Sequence, residues 1–280
     1  MVPPVRNGGK ISFDKISFRG SPPAQGPTPK ELEAAHRETL LRYAELLAAC
    51  VTARLTGTRG PEDIYAQHIR DCLESVPFLP QGPGRVIDVG SGGGLPGLVW
   101  AICRPDIEAV LLDSVGKKCR AVQSIAEALG LSNARVVCAR SEDAARSERE
   151  RFDLACARAV ASAGVTAELL SPLVRVGGLL LTFKGAKLAG ELADVEASSK
   201  LRGRACLPAP PKWGRLGLNS PFVLPYGPED SSRALVFWEK AAPCPRAYPR
   251  PAGMALTNAW WSSHGQNEKR RKRHEDAQRA

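Results

Sequence analysis

The 280-residue sequence contains no C-x-x-C pair. Its eight cysteines, Cys50, Cys72, Cys103, Cys119, Cys138, Cys156, Cys206 and Cys244, are scattered singly, most of them inside apolar runs. That spacing argues against a zinc site and a disulfide framework, and reads as small buried hydrophobes in a reducing compartment. Histidine is scarce, and His36, His68, His264 and His274 are too dispersed for a metal constellation, so no metal is expected. No apolar run reaches the roughly 18 residues of a transmembrane helix. The first 30 residues lack the apolar segment of a signal peptide, which points to the cytoplasm and away from a membrane. There is no internal repeat. Positive charge, by contrast, is in excess: the formal net charge is +10 and the pI about 9.4. Lys and Arg in such excess favour a polyanion, whose counterions they release. An acidic membrane surface fits the charge equally, so charge alone does not choose.

Four segments follow from composition and periodicity. Residues 1–29 are Pro/Gly-rich and read as a flexible linker. Residues 30–82 read as a helical cap. Thr28-Pro29-Lys30-Glu31 is a helix start with Thr28 as N-cap, and Leu32, His36, Leu40, Tyr43, Leu46 and Leu47 recur at helical spacing. A second helix is expected from Glu62 to about Ser75. Residues 83–242 alternate short apolar strands with helices: strands at Arg85–Val89, Ala109–Asp113, Arg135–Cys138, Phe152–Cys156 and Leu179–Phe183, and helices at Leu95–Cys103, Lys117–Leu129 and near Thr166–Leu173. That alternation predicts an α/β fold with a doubly wound, mostly parallel sheet. The stretch from Glu191 to Pro228 reads as less regular. Phe222–Leu224 and Ala234–Trp238 are expected to form an antiparallel edge hairpin. Residues 243–280 are Pro-rich and then basic, with Lys269-Arg270-Arg271-Lys272-Arg273 as a run of five charges that reads as a solvated tail able to add non-specific RNA affinity.

The first strand runs into Asp88-Val89-Gly90-Ser91-Gly92-Gly93-Gly94. Glycine is needed at such a strand-to-helix turn because the chain bends tightly and a ligand must approach the backbone. A dinucleotide fingerprint read from Gly90 fails at Leu95; read from Gly92 it succeeds through Gly94 and Gly97, but two residues late after the strand. The G-x-G-x-G form after an acidic strand residue, Asp88, is the usual methyltransferase form. The second strand ends in Asp113, where a carboxylate meets a cofactor ribose in a doubly wound fold. The third ends near Arg140-Ser141-Glu142, where adenine contacts would lie.

Several segments together resemble the bacterial small-subunit ribosomal RNA guanine-N7 methyltransferase family, the glucose-inhibited division protein B type. They are Val86-Ile87-Asp88-Val89-Gly90-Ser91-Gly92-Gly93-Gly94-Leu95-Pro96-Gly97, Leu111-Leu112-Asp113-Ser114-Val115-Gly116-Lys117-Lys118, Ala157-Arg158-Ala159-Val160-Ala161, Phe183-Lys184-Gly185, Tyr248-Pro249-Arg250 and His68-Ile69-Arg70-Asp71. The similarity runs from about Glu31 to about Gly253. It implies a class I (Rossmann-like) S-adenosylmethionine-dependent methyltransferase fold, with S-adenosyl-L-methionine as cofactor and 16S ribosomal RNA in the 30S small subunit as substrate. The implied modification is N7 methylation of a guanosine in the decoding region. Gly90, Ser91, Gly92, Gly94, Leu95, Asp113, Ser141, Glu142 and Arg158 are the implied cofactor-binding positions, with Ser141 standing where the family usually has Ala. Lys117, Lys184 and Arg250 match basic positions that resemble RNA or cofactor contacts, and Arg158 and Lys184 are the expected positioning residues.

Guanine N7 carries an in-plane lone pair and no proton, so it attacks a sulfonium methyl in line without a general base; positioning is the main requirement. The sequence has no N-P-P-Y motif for an exocyclic amine and no Pro-Cys nucleophile after the fourth strand. Methylation leaves positive charge on the base, which an adjacent Arg would oppose, so Arg158 is assigned to cofactor or RNA phosphate. Its alternative is a structural salt bridge; for Lys184 and Lys117 it is solvated surface charge. His68 reads as a packing or capping residue. Trp260-Trp261 either stacks on bases or docks the C-terminal segment. Nothing calls for more than a monomer. Two other readings stay open: a non-catalytic RNA-binding or assembly factor that keeps the fold, and a nicotinamide-dependent oxidoreductase. The glycine register and the lack of a Tyr-x-x-x-Lys or His–Asp pair speak against the latter.

Overall fold

Thr28 starts the first helix as its side chain requires. In the computed structural model, which describes residues 26–197, 212–228 and 231–261, α1 spans Pro29–Ala49. The Thr28 hydroxyl accepts the Glu31 N–H, and the Glu31 carboxylate accepts the Thr28 N–H at 2.7 Å. This reciprocal cap is worth about 0.5–2 kcal/mol. The second expected helix is instead three pieces: α2 (Pro61–Ile64), a π-helical turn at Tyr65–Ile69 and α3 (Arg70–Leu73). Among the described residues no helix is long and apolar enough to cross a membrane. The basic run 269–273 and residues 1–25 lie outside the described residues.

Strands and helices then alternate: β1 (Gly84–Val89), α4 (Gly97–Cys103), β2 (Ile107–Asp113), α5 (Gly116–Ala128) and β3 (Ala134–Cys138). They continue with α6 (Ser141–Ser147), β4 (Phe152–Arg158), α7 (Ala163–Leu170), β5 (Val174–Lys184) and α8 (Leu188–Ala197). β6 (Phe222–Pro225), β7 (Ala234–Glu239) and a short α9 (Met254–Thr257) complete the described chain. The sheet order is β3-β2-β1-β4-β5-β7-β6. β1 to β5 are mutually parallel, and β7 runs antiparallel to both β5 and β6. The doubly wound sheet and its antiparallel edge hairpin are therefore as the sequence predicts.

Three local expectations need correction. α6 and α8 are helices that the sequence pattern does not predict, and α8 runs into the stretch from Glu191 whose pattern is less regular. α7 begins at Ala163, earlier than Thr166, because the Glu191 carboxylate accepts its first N–H at 2.7 Å. β5 begins before Gly177-Gly178, not after it. Val174 pairs with Phe152 and Leu179 with Leu154, so the glycines form an irregularity within the strand. Gly177 has φ +81° there, and a Cβ on Gly178 would come within 2.6 Å of the Asp153 carbonyl.

Strand alternation divides the core into two layers. In β1, Val86 packs with α1, α4 and α5, through Leu40, Leu98 and Ile125, while Ile87 and Val89 face α6 and α7 with Ala144 and Ala167. Because both faces are covered, the central strands are near-continuous apolar runs. The helical cap shares the first layer with the sheet, so it packs over the same edge as the glycine loop.

Candidate cofactor and RNA site

Five parallel strands bring their carboxyl ends to one edge, and the order reverses between β1 and β4, the crevice where open α/β sheets bind ligands. The chain leaves β1 in a tight turn. The N–H groups of Gly90 and Ser91 both donate to Leu112 O, at 2.7 and 3.0 Å, and Ser91 O accepts from Gly94 and Leu95. Gly90, Gly92 and Gly94 have φ of +73°, +58° and +89°, a region that L side chains rarely adopt. A Cβ at Gly90 would stand 2.7 Å from Val160, whereas at Gly92 the nearest atom is Gly90 O at 3.9 Å. The backbone is thus packed from behind at Gly90 and open at Gly92.

Asp113 borders this opening. Its Oδ2 accepts the Gly92 N–H at 3.0 Å and its Oδ1 the Val115 N–H at 2.9 Å. Each oxygen keeps a further lone pair for a hydroxyl donor. Asp88, one strand away, is fully buried. Its Oδ2 accepts the first N–H of α4, from Gly97, at 2.9 Å, and its Oδ1 has no partner. Burial pushes the Asp88 carboxyl up to about 7. Ser141 and Glu142 are buried at the start of α6, where the Ser141 hydroxyl donates to Glu142 Oε2 at 3.1 Å and Gly253 N–H to Oε1 at 3.3 Å. An open glycine turn, a carboxylate with lone pairs to spare and a buried polar pair at successive strand ends are the groups available to hold S-adenosylmethionine.

The cap lies over the loop. The Tyr43 hydroxyl donates to Gly93 O at 2.7 Å, and Leu47 and Leu55 occupy the space a Gly93 side chain would need. Arg158 ends β4 and reaches the cap as well: its Nε donates to Asp71 Oδ2 at 3.1 Å, and its terminal nitrogen lies 3.2 Å from His68 Nδ1. Asp71 Oδ1 accepts the Tyr226 hydroxyl at 2.6 Å, and His68 Nε2 pairs with Thr58 Oγ1 at 2.9 Å. Burial and Arg158 hold the His68 ring below its usual range.

A family model described as rRNA small subunit methyltransferase G matches residues 36–207. The ribosomal RNA small subunit methyltransferase G of Rubrobacter xylanophilus is 37% identical over 262 residues, covering 88% of this chain and 95% of that protein. Its counterparts in Symbiobacterium thermophilum and Gloeobacter violaceus are 38% and 37% identical, covering 71% and 82% of this chain and 80% and 87% of theirs. The chain belongs to the rRNA small subunit methyltransferase G family.

Within this family frame, the basic residues expected to touch RNA or cofactor differ in what they touch. Lys117 is exposed on the first turn of α5. Lys184 is inward: its ammonium pairs with Glu191 Oε2 at 2.9 Å and donates to Ala161 O, fixing the loop after β4. That loop holds Ala159 at φ +57° and presses Val160 on Gly90. Arg250 is taken up by Glu168, which is 0% exposed, through Nε–Oε1 at 2.8 Å and Nη2–Oε2 at 2.7 Å. Of the two readings for Trp260-Trp261, the docking one is seen: Trp260 is buried, its indole N–H donates to Gly164 O at 2.7 Å, and Trp261 lies against Gly164. Arg158 likewise makes the salt bridge that was its alternative. Tyr43, Asp71, Tyr226 and Glu168 were not singled out from the sequence for any site role. Asp71 belongs to the quoted His68-Ile69-Arg70-Asp71 motif, which was the one available signal.

Proposed function

We propose that this chain transfers the methyl group of S-adenosylmethionine to N7 of a guanosine in the decoding region of 16S ribosomal RNA, within 30S subunits, in the cytoplasm. The observation that carries the reading is the carboxyl edge of the sheet in a chain of this family. There the Gly90–Gly94 turn, Asp113 and the Ser141–Glu142 pair adjoin exposed cations: Lys117, Arg140 and Lys187 follow the ends of β2, β3 and β5. When bound, the cofactor supplies an electrophilic methyl on a sulfonium. Asp113 accepts the ribose hydroxyls, the open backbone at Gly92 admits the chain that carries the sulfonium, and Ser141 and Glu142 bound the adenine. Arg158, held by Asp71, fixes the cap against the loop and stays close enough to β1 to stabilise negative charge at Asp88. The exposed cations hold the phosphate backbone. No side chain has to remove a proton, because the attacking nitrogen bears none, so the protein's contribution is placement.

The test is methyl transfer from labelled S-adenosylmethionine to 30S subunits purified from cells lacking this modification, with the position mapped by cleavage at N7-methylguanosine. One labelled guanosine in the decoding region, lost with Asp113→Ala and Arg158→Ala, is the expected result. Label at an exocyclic amine or a ribose, or none on 30S subunits while cofactor binds, would overturn the reading.

A further inference from the structure

Two thiols flank Asp113. Cys119 sits in the first turn of α5, is 6% exposed, and donates its S–H to the Asp113 carbonyl at 3.3 Å. Cys138 ends β3, where it is the register partner of Asp113 across the sheet, and is exposed. Ala134 and Val136 of β3 pack with Val122 and Ile125 of α5, and Cys138 continues that row by the two-residue alternation of a strand. Its Sγ accordingly overhangs the start of α5, 3.9 Å from where a Cβ on Gly116 would be. Both sulfurs thus lie at the start of α5, Cys119 Sγ on the Asp113 carbonyl and Cys138 Sγ over Gly116, one helical turn away. Burial, and next the neighbouring Cys138 thiol, push the Cys119 thiol up to about 11, which keeps it protonated, while Cys138 is the member that solvent and oxidant reach. Unlike Cys138, Cys72, Cys103, Cys156 and Cys244 are buried.

We propose that Cys119 and Cys138 form a reversible disulfide on exposure to peroxide, and that the disulfide weakens cofactor binding through Asp113. The Cys138 sulfur attacks one peroxide oxygen; the O–O bond breaks, a sulfenic acid forms and one water leaves. The Cys119 sulfur then attacks the sulfenic sulfur, and the departing hydroxide takes the thiol proton as a second water. Two thiols lose two electrons and two protons, and one peroxide becomes two waters. The new bond is about 2.05 Å long, well inside any thiol–thiol contact, so the first turn of α5 and the end of β3 must draw together. The Asp113 carbonyl loses its S–H donor in the same event. Because the Asp113 carboxylate joins Gly92 to Val115, the displacement reaches the glycine turn directly. This coupling rests on the reading that the cofactor ribose meets Asp113.

The experiment treats the full chain with hydrogen peroxide, alkylates the remaining thiols, maps linked peptides by mass spectrometry, and measures S-adenosylhomocysteine binding by calorimetry before oxidation, after it and after dithiothreitol. A Cys119–Cys138 linked peptide, binding weakened tenfold or more, and recovery with dithiothreitol are expected. Cys138→Ser should bind like the untreated chain and be indifferent to peroxide. No linked peptide, or a linked peptide with unchanged affinity, overturns the proposal. If the reduced chain does not bind S-adenosylhomocysteine at all, the cofactor reading fails and the coupling through Asp113 with it.

Discussion

Truncating Arg250 to Ala should damage the fold before it damages RNA binding. The guanidinium makes two short charge-assisted hydrogen bonds to Glu168, whose side chain is 0% exposed. After truncation Glu168 retains, among the described residues, the Arg250 backbone N–H at 3.2 Å, a single neutral donor. Removing one partner of a buried pair costs about 3–5 kcal/mol, because the other charge is left uncompensated. Against a domain stability of about 5–15 kcal/mol this is a large fraction. With a urea dependence near the upper end of about 1–3 kcal/mol per molar, the unfolding midpoint should fall by about 1–2 M. Tryptophan fluorescence reads the transition, since Trp213, Trp238 and Trp260 form one ring cluster. The double variant Glu168→Gln with Arg250→Ala should lose less than Arg250→Ala alone, because no buried charge is stranded. An Arg250→Ala chain with the wild-type midpoint but weakened 30S binding would refute this reasoning and return Arg250 to the RNA surface.

Two further outcomes follow from the cofactor turn. Gly90→Ala forces a side chain to φ +73° at about 1–2 kcal/mol, and pushes Val160 from its place 2.7 Å away. Because the Val160 side chain is 38% exposed and can turn toward solvent, the stability loss should stay near that figure, while the displaced loop lowers S-adenosylhomocysteine binding about tenfold or more by calorimetry; unchanged affinity would show that the loop after β4 does not shape the site. Asp88 makes stability depend on pH. Its folded pKa, about 7, lies above the unfolded value of 3.8, so the folded chain holds a proton that the unfolded chain releases between those values. Stability contributed by this group therefore falls as pH rises from about 4 to 7 and is level above. At 1.36 kcal/mol per pH unit the change is on the order of 4 kcal/mol. Asp88→Asn should flatten the urea midpoint against pH across that window, and a variant as steep as the wild type would remove Asp88 as the cause.

The sheet and the cofactor turn are legible in the amino-acid order alone, because both are written in local pattern. Central strands covered on two faces must be apolar runs, so β1 to β5 were legible as strands. The glycines were legible because left-handed backbone admits little else, and Asp113 because a strand end fixes where its residue lies. The fifth strand reads as Leu179–Phe183 in the sequence but begins at Val174, because Gly177-Gly178 are an irregularity inside β5 that interrupts its apolar run. What the charged residues do, by contrast, is set by which distant segments pack together. Asp71 and Arg158 are 87 positions apart, Glu168 and Arg250 82, and Asp71 and Tyr226 155. Pairs so distant leave no periodicity, and an arginine that meets phosphate is written with the same letter as one locked to a buried carboxylate. Burial and partner choice belong to the packing of the cap and the C-terminal segment on the sheet, which is why Arg158, Lys184 and Arg250 read as cofactor or RNA contacts in the sequence and are ion-paired in the folded chain.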